Sequence, residues 1–419
     1  MTGRKLELYL HIPFCARKCY YCDFLSMPRN IEVQHQYFLK LREEIKAFPH
    51  PEEYSVISVF FGGGTPSLSP AREIVQTLET VRECFHVEKD AEITIECNPG
   101  TLGPEHSDGS SQEPAIEGCG SAADKGSGRG KLREYRGAGI NRISFGVQSA
   151  DNSILKSLGR IHTWEKFVRE YADARREGFE NISVDLMYSL PGQTPEIWAD
   201  TIEKVLSLPA PPEHISAYSL IIEKGTLYWE RYHEDAEARA RGDRPLFLPD
   251  EDSEDRMEDI LKKKLTAAGY HRYEISNYAK NGFQACGRSW ESLHNKGYWE
   301  RREYAGFGLG SSSLIGHTRY RNCEDLDAYL KDRSVRREET VLTRRDEISE
   351  TMFLGLRETR GVDMDLFRKK FGEEITSIYA DTIRLFLKQG LLETDGAYLR
   401  LTERGIRISN LVMSEFLLD

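Results

Sequence analysis

Three cysteines lie close together near the start of the chain, in the segment HIPFCARKCYYCDF at residues 11–24. Cys15, Cys19 and Cys22 follow a C-x3-C-x2-C pattern, and Phe24 stands where a fourth cysteine would continue it. Four thiolates saturate a zinc ion or a 4Fe-4S cluster, whereas three leave one iron of the cluster without a protein ligand. The pattern therefore predicts a cluster with one open iron, and a zinc site completed by a distant histidine or cysteine is the alternative.

Short apolar segments alternate with amphipathic ones over the first half of the chain. The predicted strands are ELYLHI (7–12), VISVFF (56–61), AEITIE (91–96), NRISFG (141–146), NISVDL (181–186) and HISAYSLII (214–222). The segments between them carry apolar residues at spacings of three and four, which is typical of helices. The strands show few polar alternations, which predicts that both faces are covered. Six such units predict an α/β fold, a partial (β/α)6 TIM-like barrel whose sites lie on the loops after the strands.

The remaining sequence predicts two smaller units after a barrel at residues 1–225. Residues 226–340 mix helix and strand patterns and form an α/β extension that carries the segment HNKGYW. Residues 341–419 have helical periodicity followed by TDGAYLRLTERG, whose Asp-Gly turn predicts a hairpin, as in a winged-helix-like domain. Within the barrel, residues 103–130 are rich in Gly and Ser and predict a flexible surface insertion.

Charge and composition narrow the classes of partner. The formal net charge is -11 and no cluster of Lys and Arg dominates, so nucleic acid is not expected as a partner. The chain has neither an apolar run long enough to span a membrane nor a signal-peptide pattern. The eight cysteines are too few and too unevenly spaced for a disulfide scaffold. These features predict a cytoplasmic protein.

The three-cysteine pattern after the first of six βα units resembles the radical S-adenosylmethionine (SAM) superfamily. The resemblance implies a 4Fe-4S cluster on Cys15, Cys19 and Cys22, with the amino and carboxylate groups of SAM on the remaining iron. An electron donor such as a flavodoxin or ferredoxin is implied as well. The fold expected from this resemblance is the partial barrel of the radical SAM type.

Residues near the predicted strand ends match the SAM pocket of the coproporphyrinogen-type branch of this superfamily. The loop GGGTP follows the second strand, where glycines let main-chain groups approach a ligand closely. A carboxylate at the end of the third strand can accept hydrogen bonds from an amine or a ribose. By resemblance, the pocket consists of Tyr9, Gly63, Gly64, Thr65, Glu96, Gln148, Arg160 and Asp185.

The segment HNKGYW at residues 294–299 is a candidate haem-binding segment. A neutral imidazole such as His294 is a common axial ligand of haem iron, and Tyr298 and Trp299 offer flat apolar surface. The alternative is a turn at Asn295 and Gly297 with His294 packed in the core. Together with C-x3-C-x2-C-x-F, the segment is similar to the HemW haem chaperone family.

That resemblance implies a protein that binds haem through His294 and passes it to an acceptor protein, with membrane contact only through the acceptor. The alternative is an oxygen-independent coproporphyrinogen III dehydrogenase, an enzyme that usually has a further cysteine after the third and an N-terminal extension. Phe24 and the early position of the cluster motif favour the chaperone over this dehydrogenase. A radical SAM enzyme that modifies RNA or protein is a third class, disfavoured by the acidic charge balance.

Overall fold

The computed structural model describes residues 3–103, 129–331 and 336–418. The insertion predicted at residues 103–130 lies almost entirely outside the described residues. Its last two positions, Arg129 and Gly130, begin a helix that ends at Gly137.

Six parallel strands form the centre of one large sheet and follow each other in chain order. They are β1 (Arg4–Ile12), β2 (Tyr54–Gly63), β3 (His86–Cys97), β4 (Arg142–Gln148), β5 (Asn181–Tyr188) and β6 (His214–Ser219). The helices that accompany them are α1 (Ile31–Lys46), α2 (Ala71–Cys84), α3 (Arg129–Gly137), α4 (Asn152–Ser157), α5 (Trp164–Arg176) and α6 (Pro195–Leu206). The six predicted strand segments overlap these strands, so the predicted α/β fold class is confirmed.

The segment after β6 extends this sheet and shares its hydrophobic core. Its helices are α7 (Leu227–Ala240), α8 (Glu251–Ala267), α9 (Leu293–Trp299) and α10 (Leu326–Leu330). Its strands are β7 (Tyr270–Arg272), β8 (Asn277–Lys280), β9 (Tyr304–Phe307), β10 (Ser312–Ile315), β11 (Thr318–Asn322) and β12 (Arg336–Val341). Because β1 pairs with β9 and β6 pairs with β8, these additions occupy the two edges and the barrel is partial.

The C-terminal unit has a small antiparallel sheet and its own cluster of buried apolar residues. Its elements are α11 (Arg344–Gly355), β13 (Val362–Asp363), α12 (Met364–Phe371), α13 (Ile375–Ile378), α14 (Ala380–Lys388), β14 (Leu392–Thr394), β15 (Tyr398–Leu401), α15 (Glu403–Arg407) and α16 (Ser409–Ser414). The predicted hairpin corresponds to β14 and β15. In the parts of the chain that the structure describes, no helix combines the length and apolar character of a membrane span.

The central strands alternate between an apolar and a polar face, which corrects the expectation of few polar alternations. In β1, Leu8 and Leu10 are buried in the core cluster, whereas Glu7, Tyr9 and His11 face the interior of the barrel. Other strands contribute Ser58, Glu92, Glu96, Ser144 and Asp185 to this interior. Both faces are covered, but the interior face is lined by polar side chains instead of a second apolar layer.

Helix α9 covers the barrel interior near the start of β2 and β3. The Glu92 carboxylate accepts hydrogen bonds from the backbone N–H groups of Leu293 and His294, at 3.2 and 3.3 Å. A carboxylate at a helix N-terminus satisfies N–H groups that have no partner within the helix. The segment HNKGYW is therefore helical, so the turn expected in the alternative interpretation is wrong, but His294 is buried as that interpretation predicted.

Gly297→Ala tests how closely α9 packs on the sheet. A Cβ atom at position 297 would lie 1.9 Å from Glu7 Oε1, and Glu7 is completely buried. We expect the variant to lose about 1–3 kcal/mol in the free energy of unfolding, measured by urea denaturation, because overpacking strains a closed core. Gly137→Ala is the control, since a Cβ atom there meets nothing within 4 Å. Equal stability of the two variants would contradict this packing.

Candidate functional site

The three cysteines lie in the cysteine loop, defined here as residues 13–30, between β1 and α1. Backbone hydrogen bonds from Met27 N to Pro13 O (2.8 Å) and from Cys15 N to Met27 O (3.2 Å) hold the two arms of the loop together. All three thiols are partly buried and none forms a disulfide. Burial raises the pKa of Cys15, and it raises the pKa of Cys22 to about 11. Thiolates here therefore need a positively charged partner such as iron.

The Gly-rich loop after β2 pairs directly with the cysteine loop. Gly64 N donates to Ile12 O and Thr65 N donates to Phe14 O, each at 2.8 Å. A Cβ atom at position 64 would lie 2.9 Å from Ile12 O and from both Phe14 N and Phe14 O. Gly63 has a φ of +109°, and a Cβ atom there would lie 2.5 Å from the His11 ring. These glycines allow the close approach that fixes one loop against the other.

A chain of hydrogen bonds runs from Cys15 to Cys19 through three other side chains. Thr65 Oγ1 lies 3.4 Å from Cys15 Sγ and accepts from Asn98 Nδ2 at 2.7 Å. Arg160 Nη2 donates to Asn98 Oδ1 at 2.5 Å, and Arg160 Nη1 donates to Cys19 Sγ at 3.4 Å. The loops after β1, β2, β3 and β4 thus meet at one point. Donors aimed at the sulfur atoms favour the thiolate form and tune a bound cluster.

Asn98 was missed in the sequence, although it stands two residues after Glu96 in the segment ECNP. Its role depends on Gly146 in β4, because a Cβ atom at position 146 would lie 2.6 Å from Asn98 Oδ1 and 3.2 Å from Gln148 Nε2. A short polar residue directly after a predicted strand is the signal that would have identified Asn98. The space at Gly146 has no equivalent signal, since it depends on the neighbouring strands.

Two carboxylates, Glu96 and Asp185, face the barrel interior beside this chain of hydrogen bonds. Glu96 accepts a hydrogen bond from Gly63 N at 3.1 Å, and Asp185 accepts from Ser144 Oγ at 3.1 Å. Burial, together with repulsion from Asp185, raises the pKa of Glu96 to about 8. Burial also raises the pKa of Asp185. A cationic ligand between these groups would relieve both effects.

Tyr9 and Gln148 also line the barrel interior near these groups. Tyr9 OH lies 3.2 Å from His11 Nδ1, and His11 Nε2 lies 2.9 Å from Leu25 O in the cysteine loop. Gln148 has a left-handed backbone with φ of +67°, and its Oε1 accepts from Tyr218 OH at 3.1 Å. A left-handed backbone costs about 1–2 kcal/mol in a residue other than glycine and must be held by its surroundings.

His294 is a residue of α9 and lies apart from the cysteines, with its side chain in the barrel interior. Its side chain is 2% exposed, its Nδ1 lies 2.9 Å from Ser58 Oγ, and its ring stacks on Phe60 with centroids 4.8 Å apart. Burial and the charge of Arg142 lower the pKa of His294 to about 3, so the imidazole is neutral. The ring has no face open to a macrocycle. In this conformation His294 does not meet the geometry expected of a haem ligand, and ligation would require α9 to move.

The predicted SAM and cluster residues thus gather at the carboxyl ends of β1 to β5, while His294 does not join them. Among the residues that the structure describes, no group of three or more His, Cys, Asp or Glu side chains is arranged to hold a single metal ion.

Known families match both ends of the chain. Residues 9–205 match the radical SAM superfamily, and residues 342–408 match the HemN C-terminal domain. A protein named heme chaperone HemW from Lactococcus lactis subsp. lactis is 34% identical, over 100% of this chain and 99% of its own length. The heme chaperone HemW of Bacillus subtilis is 32% identical, over 98% of this chain and 98% of its own length.

A solved structure with the same fold is that of coproporphyrinogen III oxidase (HemN) from Escherichia coli, described as a radical SAM enzyme. Its TM-score is 0.78, and the likeness covers 99% of this chain and 90% of that chain at 23% sequence identity. At this identity the likeness concerns the fold alone.

Glu96→Gln tests the electrostatics of the ligand-free site. The ordinary pKa of a glutamate is 4.5, and that of Glu96 is about 8 in the folded protein. The folded state therefore holds this proton more tightly than the unfolded chain, and stability falls as the pH rises from about 4.5 to about 8. We expect the variant to gain stability over the parent chain as the pH rises through this range, in urea unfolding at several pH values.

The control for this measurement is Glu79→Gln, which alters an exposed carboxylate of α2. It should show little change across the same pH range. A Glu96→Gln difference that is the same at pH 5 and at pH 8 would show that Glu96 is not a strained, buried carboxylate.

Proposed function

The chain belongs to the HemW family of radical SAM proteins, and from this premise we propose that it is a haem chaperone. In this proposal it binds a 4Fe-4S cluster, SAM and haem, and it passes haem to an acceptor protein. One observation carries the cofactor part of the proposal: the chain of hydrogen bonds from Cys15 through Thr65, Asn98 and Arg160 to Cys19. This chain supports a cluster because it places hydrogen-bonding groups beside two thiols of one loop that form no disulfide.

Cys15, Cys19 and Cys22 would hold the cluster. A bound 4Fe-4S cluster would supply an iron open to SAM and an electron for cleaving its sulfonium bond. Arg160 keeps a positive charge 3.4 Å from Cys19 Sγ, and Thr65 offers a hydroxyl at the same distance from Cys15 Sγ. Both groups stabilise negative charge on sulfur.

SAM carries an ammonium and a sulfonium group as well as a carboxylate, and the site offers partners for each. Glu96 and Asp185 are buried carboxylates that a cationic ligand would stabilise in the ionised form. Arg160 Nε is buried and has no partner among the described residues, so it can donate to the SAM carboxylate. We assign Gln148 and Tyr9 to the walls of this pocket, and Gly63 and Gly64 to its main-chain edge.

Haem is the cargo in this proposal, and the acceptor is a second protein. Support comes from relatives named heme chaperone HemW that match this chain over nearly its whole length. His294 could ligate haem only after α9 leaves the barrel, because its buried ring stacks on Phe60 and makes an edge contact with Tyr298. An electron donor such as a flavodoxin or ferredoxin remains part of the proposal.

Anaerobic reconstitution of the chain tests the proposed function. We expect about four irons and four sulfides per chain, an electron paramagnetic resonance signal of the reduced cluster that changes with SAM, and stoichiometric binding of haem. Coproporphyrinogen III should not be turned over. A zinc-loaded protein, or a cluster signal that ignores SAM, would refute the cofactor assignment. Steady conversion of coproporphyrinogen III would instead establish the enzyme.

Arg160→Ala separates SAM binding from cluster binding. We expect SAM affinity to fall roughly 10- to 100-fold, since a buried charge-assisted hydrogen bond is worth about 1.5–3 kcal/mol. Iron and sulfide contents should stay unchanged, because the three thiols remain. Arg169→Ala, an exposed arginine of α5, is the matched control, and SAM binding is measured by equilibrium dialysis. Unchanged SAM affinity in Arg160→Ala would remove this residue from the pocket.

A further inference from the structure

The loop between α7 and α8 presents two large apolar side chains to solvent. Asp235 accepts hydrogen bonds from the backbone N–H groups of Leu246, Phe247 and Leu248, at 3.0, 2.6 and 3.0 Å. Leu248 is buried beneath the loop, whereas Leu246 is 85% exposed and Phe247 is 60% exposed. A buried carboxylate thus holds a turn whose tip is apolar. Adjacent exposed apolar side chains are a feature of many interaction sites.

This tip lies at the rim of the barrel, on the same side as the cysteine loop. Phe247 O accepts from Gly192 N at 3.1 Å, and Gly192 lies in the loop that follows the carboxyl end of β5. The Phe247 ring is 6.0 Å from the ring of Tyr232 on α7. Helix α7 is tied to the cysteine loop in turn, because Tyr228 N donates to Tyr20 O at 2.9 Å. The rim therefore runs from the apolar tip to the loop that carries the thiols.

Two arginines flank Tyr20 on this rim. The guanidinium carbon of Arg231 lies 5.2 Å from the centre of the Tyr20 ring, and that of Arg17 lies 6.0 Å from it. Arg17 also donates to Gly159 O at 2.5 Å, which fixes its position. Both side chains are exposed, and within the described ranges neither forms an ion pair with a carboxylate. Two positive charges thus stand beside an apolar surface in a chain of net charge -11.

We propose that this rim is the docking site of the haem cargo. The rim surface consists of Arg17, Tyr20, Arg231, Tyr232, Leu246 and Phe247. Haem combines an apolar macrocycle with two propionate carboxylates, and the rim combines apolar side chains with two guanidinium groups that have no carboxylate partner among the described residues. Arginine pairs with carboxylates through parallel hydrogen bonds. The proposal rests on the proposed haem chaperone function. It gives the cargo an exposed binding surface, which the buried side chain of His294 on α9 does not offer.

The experiment compares haem with haem dimethyl ester, in which both propionates are neutral. Both are titrated into the reconstituted full chain and into the double variant Arg17→Gln/Arg231→Gln. We expect the double variant to bind haem at least tenfold more weakly and to bind the ester as the parent chain does. The double variant Leu246→Ser/Phe247→Ser should weaken the binding of both ligands. Thermal unfolding checks that each variant is folded.

Matched control variants lie elsewhere on the surface. Arg136 is exposed, donates to Gly178 O at 3.1 Å and lies 5.9 Å from the Phe179 ring, so it resembles Arg17 in its contacts. Phe283 is 73% exposed and follows β8. Arg136→Gln and Phe283→Ser should bind both ligands as the parent chain does.

The outcomes separate the docking site from the function. If the parent chain binds no haem, the proposed function and the rim assignment both fall. If the parent chain binds haem and the two rim variants bind it equally well, only the rim assignment is overturned. In that case loss of binding in His294→Ala would place the cargo under α9 instead.

Discussion

The structure depends on backbone pairing between the Gly-rich loop and the cysteine loop. Gly64 N and Thr65 N donate to Ile12 O and Phe14 O, so the chain just before Cys15 continues the parallel pairing of β1 and β2. The pairing is possible only because position 64 has no side chain. It sets the Thr65 hydroxyl beside the first thiol, and from there hydrogen bonds reach the loops after β3 and β4. A site assembled from four loops is thereby held by the rigid strands before them.

The polar interior of the barrel explains why the fold accepts buried charge. Burial, together with repulsion from Asp185, raises the pKa of Glu96 to about 8, and a protein without a ligand gains nothing from this arrangement. Buried groups with shifted pKa values concentrate at functional sites, because the energy they cost is recovered when a ligand binds. Two carboxylates and a cationic guanidinium suit a ligand that is itself a zwitterion. The same interior is covered by α9 on the side away from the cysteines.

Much of the fold could be predicted from local patterns. The six strands and the helix at 71–84 follow from the spacing of apolar residues. The spacing of Cys15, Cys19 and Cys22 alone predicts a cluster site. Asn98 and Gly146 could not be found in this way, because their roles depend on a contact between neighbouring strands. The polar face of β1 is present in the sequence as the alternation in ELYLHI. The other predicted strands contain many apolar residues, which obscure the same alternation there. His294 has the chemistry of a haem ligand, but only the packing of α9 reveals that it is buried.

The account stands on one iron that the protein leaves open to the amino group of SAM. Electron-nuclear double resonance on the reduced cluster, with SAM labelled by 15N at its amino group, measures that contact directly. We predict a 15N hyperfine coupling that appears with labelled SAM and disappears when unlabelled SAM displaces the label. A reduced cluster that shows no 15N coupling in the presence of saturating SAM would contradict it.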